Sequence, residues 1–101
     1  MSESAVRLGQ AGELMLGGVL DYRTGPALRK QGQALIKSSA GAELVIDCSQ
    51  VQKSSSVGLS LLLCFIRDAT AAGKTWSIRA MPEDMREIAQ VSELTELLTQ
   101  S

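Results

Sequence analysis

The sequence predicts one open α/β sheet that begins with a hairpin, in the order β-β-α-β-α-β-α-α over residues 1–101. Three observations predict it. Short apolar runs of strand length alternate with longer segments of helical period. Turns rich in Gly and Ser separate them, with no linker, repeat or low-complexity tract. The 101 residues, 45% of them hydrophobic, suffice for a single packed core but not for two domains. Strands joined through helices then imply parallel neighbours and right-handed crossovers.

Ala5–Leu8 and Glu13–Leu16 are short strands around a turn at Gln10-Ala11-Gly12, hence a hairpin. Thr24-Gly25-Pro26 starts a helix, with a hydroxyl suited to capping and a proline tolerated in the first turn. Leu28, Gly32, Leu35 and Ile36 share one face of that helix. Gly32 costs about 1 kcal/mol against alanine, so close packing is expected there. After the Ser38-Ser39-Ala40-Gly41 turn, Glu43–Asp47 fits a buried strand. A polar loop, Ser49–Ser55, leads to a helix from about Ser56 to Ala71, ended by Gly73 at C′. Thr75–Arg79 alternates as the next strand. Pro82-Glu83-Asp84 opens a helix whose inner face is Met85, Ile88 and Ala89, and Val91, Leu94, Leu97 and Leu98 continue a C-terminal helical segment.

Composition excludes whole classes of function. There is no histidine, so no histidine base, triad or metal ligand. A net charge of −1 lacks the basic footprint that phosphate backbones require, so no nucleic acid is expected. Tyr22, Phe65 and Trp76 are too few aromatics for stacking platforms. Cys48 and Cys64 have no zinc spacing; they are expected to be reduced, buried and structural. No run approaches the ~20 apolar residues of a bilayer span, and the N-terminus does not read as a signal peptide. Ala72-Gly73-Lys74-Thr75 ends like a P-loop, but Asp68 stands where its first glycine belongs, and the context is helix-then-strand. No catalytic residue, metal or cofactor is expected.

The informative stretch runs from Val45 to Leu63: a strand, a short loop, Ser54-Ser55-Ser56, then a leucine-rich helix. Ser56 is a natural N-cap, and a helix N-terminus also favours a phosphate. The cap is favoured, since serine caps are routine. Along the helix, Leu59, Leu62, Leu63 and Ile66 form one stripe, and Val57, Leu61, Cys64 and Phe65 form an opposite one. Either Leu28 or Leu35 covers the second stripe within the domain, or a partner protein does.

Asp47 closing a strand and Ser55-Ser56-Val57-Gly58-Leu59 opening the next helix resemble the STAS domain. Val19-Leu20-Asp21 and the Pro82–Ala89 segment with Leu94, Leu97 and Leu98 resemble it too, so the likeness covers nearly the whole chain. It implies an open mixed sheet with helices packed mainly on one side. Asp47-x-Ser49-x-Val51, Gly58-Leu59-x-Leu61-Leu62-Leu63 and Ile66-x-Asp68 look most like the STAS subunit of the Mla phospholipid-transport ABC system. The resemblance implies a non-catalytic cytoplasmic subunit that binds and supports an ABC ATPase, and through it a permease complex at the inner membrane. Ser54, Ser55, Ser56, Val57, Leu61 and Phe65 are the expected partner contacts. The alternative is an anti-sigma factor antagonist, bound by an anti-sigma factor kinase and phosphorylated at Ser56. Ser55 stands where those antagonists carry Asp, a departure from their pattern. An enzyme ranks last: Asp21 reads as a turn former and Asp47 as a strand-end residue meeting backbone donors, and no base accompanies Ser56.

Overall fold

The computed structural model describes residues 5–10, 12–39 and 41–91. Its elements are β1 (Ala5–Leu8), β2 (Leu14–Leu20), α1 (Gly25–Ser38), β3 (Glu43–Ser54), α2 (Ser56–Ala71), β4 (Thr75–Arg79) and α3 (Glu83–Val91). The order β-β-α-β-α-β-α is as expected up to α3; Leu94, Leu97 and Leu98 lie outside the described residues.

The strands stand side by side as β1-β2-β3-β4, antiparallel at the hairpin and parallel thereafter. Two right-handed crossovers that advance the same way lay their helices on the same face. Accordingly α1 packs over β1 and β2, α2 over β3 and β4, and the two helices pack on each other. Leu14, Leu16 and Leu20 of β2 and Leu44, Ile46 and Cys48 of β3 point into this layer and are buried. Across the other face, Arg7, Met15, Asp47 and Arg79 lie in register.

Two strands outrun their expected lengths. β2 continues through Gly17 and Gly18 because the ladder to β3 shifts register there, and Gly18 takes φ +87°. β3 runs on through the polar residues expected to be a loop. Its second half pairs with β2 from Gln50 to Ser54, whereas β4 reaches only Asp47. Half-paired, that stretch needs no apolar side chains, which is why its composition reads as loop.

The helix layer turns on one close approach. Phe65 of α2 is fully buried, and its ring lies against Gly32 of α1: a Cβ at Gly32 would fall 2.6 Å from the ring's Cζ. Arg29 and Asp68 pair across the same two helices. Gly73, at φ +76°, ends α2 as expected. Lys74 then donates its ammonium to the carbonyls of Ser39 and Gly41, so the phosphate-loop-like motif secures the turn after α1 instead.

Candidate functional site

In open α/β sheets, binding crevices form beyond the carboxyl ends of the strands. Here the segments after β2 and β3 meet at that edge, held by one carbonyl. Leu20 O accepts both the Ser55 N–H (3.1 Å) and the Ser55 hydroxyl (3.2 Å). The first segment is an Asx-type turn: Asp21 Oδ1 accepts the N–H groups of Arg23 (2.9 Å) and Thr24 (3.2 Å). Those donors, Arg23 N–H first, hold the Asp21 carboxyl below its ordinary range. Thr24 is the residue before α1 but does not cap it. Its hydroxyl accepts the Asp21 N–H and donates to Val19 O, serving the turn. This geometry thrusts Tyr22 outward, 77% exposed, with the Arg23 guanidinium over its ring.

The second segment is the serine turn. Ser55, not Ser56, is the N-cap of α2: its backbone is extended and its Oγ accepts the Val57 N–H (3.2 Å). The cap must sit outside the helix, and Ser56 already lies in the first turn, exposed and with its hydroxyl unbonded among the described residues. Ser54 is half-buried; its N–H donates to Asp84 Oδ2 and its hydroxyl to Ser55 O. Gly58 follows, and Met85 of α3 and Leu20 of β2 close on it.

Of the expected contact residues, Ser55 and Ser56 are exposed and Ser54 and Val57 half-buried. Phe65 is core, 0% exposed, and cannot serve as an anchor for a partner; Leu61, 4% exposed, reaches the surface only at the floor of the groove described below. The deep face of α2 lies between the two expected stripes, taking Leu59 and Leu62 from one and Leu61 and Phe65 from the other, with Gly58 and Ala69. The preceding helix covers the second stripe only in part: Gly32 lies against Phe65, while Val57 and Cys64 stay half-exposed.

What remains open beside the serine turn is an apolar groove of about 360 Å³ between the starts of α1 and α2. Tyr22, Pro26, Val57, Ser60 and Cys64 line it, with the edge of Leu61 beneath. Tyr22 is not among the contacts expected from the sequence; an aromatic flanked by Asp21 and Arg23 before a proline is the signal for it. Cys64, expected to be buried, is half-exposed here, while Cys48 is buried and its thiol is pushed up to about 12 by that burial. Among the described residues no cluster of His, Cys, Asp or Glu could hold a metal ion, and no helix is long and apolar enough to cross a membrane. An arrangement of this kind offers a surface for a partner and, at Ser56, a free hydroxyl.

Comparison with known proteins agrees with this architecture. The family model described as "Mlab, STAS domain" matches residues 4–99. Among solved structures, the anti-sigma factor antagonist SpoIIAA in its unphosphorylated form is similar, with a TM-score of 0.70 and 17% identity. That likeness covers 93% of this chain and 84% of the other.

Proposed function

Since the chain belongs to the STAS domain family, matching its MlaB-type model, we propose that it is a non-catalytic cytoplasmic subunit that docks on an ABC ATPase of a phospholipid-transport system. The ATPase joins it to a permease complex at the inner membrane. The observation that carries this reading is the open groove beside the serine turn, ringed by Tyr22, Val57, Ser60 and Cys64. Binding alone stabilises an assembled ATPase by mass action, with no reaction required of this chain. Tyr22 supplies the apolar anchor, as exposed aromatics do at interface hot spots, and Ser56 fits against the partner's backbone. Copurification with the ATPase of the same organism's phospholipid-transport system tests the idea. Tyr22→Ala with Ser56→Arg is expected to abolish it while circular dichroism stays unchanged. Full copurification by that folded variant would sink the proposal.

A second reading rests on the Ser56 hydroxyl, exposed and unbonded in the first turn of α2. A phosphate there would meet the helix N-terminus and add a charge of about −1.5 to −2 to the docking edge, the switch of an anti-sigma factor antagonist facing a kinase. Intact mass of the protein from growing and starved cells decides it: phosphorylated chain supports the switch, and its absence throughout removes it.

A further inference from the structure

The groove has a sign. Across the turn before α1 and both helices, residues 21–38 and 56–71, the cations are Arg23, Arg29, Lys30, Lys37 and Arg67, and the acids are Asp21 and Asp68. Both acids are already taken up, Asp21 by Arg23 and Asp68 by Arg29. Lys30 and Arg67 are exposed and form no ion pair among the described residues. Helical spacing sets them beside the groove: Lys30 lies one turn beyond Pro26, and Arg67 follows Ser60 and Cys64 at i+7 and i+3. A chain of net charge −1 has therefore gathered positive charge around its exposed apolar groove, while α3 carries Glu83, Asp84 and Glu87 against Arg86. Complementary charge steers association and rejects partners of the wrong sign.

We infer that the occupant of this groove is an acidic amphipathic segment of the partner, with an apolar side chain between Tyr22 and Cys64 and carboxylates against Lys30 and Arg67. This rests on the docking reading and adds the chemistry of the docked piece.

The test measures binding of the full chain to the purified ATPase between ~0.1 M and ~1 M salt, where the screening length falls from about 10 to about 3 Å. The association rate is expected to drop about tenfold or more across that range. Lys30→Glu with Arg67→Glu should lower the low-salt rate by a similar factor and flatten the salt dependence. Bound ATPase should also shield Cys64 from alkylation. A second probe is a synthetic helical peptide of leucines and glutamates, with a leucine–lysine twin. Tight ATPase binding that ignores both salt and the double variant overturns the acidic segment and leaves docking intact. No ATPase binding, with Cys64 shielded by the glutamate peptide and not by its twin, keeps the groove's chemistry and removes the ATPase. Failure of both probes to shield Cys64 overturns the inference, as does a dimer of this chain that shields Cys64 unaided.

Discussion

Replacing Gly32 by alanine puts the packing of α1 on α2 to a quantitative test. Two effects oppose each other. Alanine in a helix interior is favoured over glycine by about 1 kcal/mol. Against that, the new Cβ would lie 2.6 Å from Cζ of Phe65, whose ring is fully buried. Carbon contacts are optimal at about 3.5–4.0 Å and the ring's Cε1 would lie nearer still, so the overlap exceeds an ångström and the buried ring has no free space to turn into. Overpacking of this kind costs about 1–3 kcal/mol, and so deep an overlap belongs at the upper end. The expected net loss is about 1–2 kcal/mol, with Tm falling by roughly 4–8 °C per kcal/mol. Urea unfolding followed by fluorescence of Trp76, the chain's one tryptophan, gives the number. Gly32→Ala with Phe65→Leu should be less damaging than the two single losses summed, by about 0.5 kcal/mol or more. A Gly32→Ala protein more stable than wild type by the full ~1 kcal/mol would refute the reasoning, because the ring would then not be pressed against that backbone.

The corrected cap predicts an asymmetry between adjacent serines: Ser55→Ala should cost about 1 kcal/mol and Ser56→Ala no more than about 0.5, both by urea unfolding. Asp47 supplies a pH dependence. Donors on Ser49, its side chain foremost, and the Arg79 guanidinium hold the buried carboxyl below its ordinary 3.8. A lowered native value means that this stabilisation is complete above the unfolded carboxyl's titration and is lost as pH falls through the native one. Asp47→Asn should therefore destabilise the protein at neutral pH and flatten its acid limb below about pH 4. Iodoacetamide at pH 8 should label Cys64 in the native protein and spare Cys48, whose thiol is buried and sits at about 12; rapid double labelling without denaturant would contradict that assignment.

Most of the fold was legible because its elements carry strong periodicity. The bounds of β1, α2 and β4, and the glycine that ends α2, are as the sequence reads. The lost stretches are those in which tertiary pairing overrides composition. Gln50 and Lys53 belong to a strand because β2 lies beside them, and no local pattern records a neighbour supplied from 33–34 residues away. The candidate site divides the same way. Its place at the serine turn was readable from residue types, but which side of α2 faces water depended on how closely α1 approaches. Gly32 reads as a close-packing position, but no local pattern says that its neighbour is Phe65 on another helix. The cap slipped by one residue because Ser54, Ser55 and Ser56 are chemically alike, and only the backbone angles separate them.

The strand order has a consequence for how the protein is made. Every strand pairs with the one synthesised just before it, so none must wait for a partner still inside the ribosome. The hairpin can form first, α1 and β3 close on it, and α2 with β4 complete the sheet from one end, each step extending a surface already present. Each parallel pairing closes a crossover whose partners lie 32–34 residues apart, and it closes onto a strand already in place. A domain assembled in this manner adds each new strand at the same end of the sheet, so the outer edge of β1 meets no further strand among the described residues.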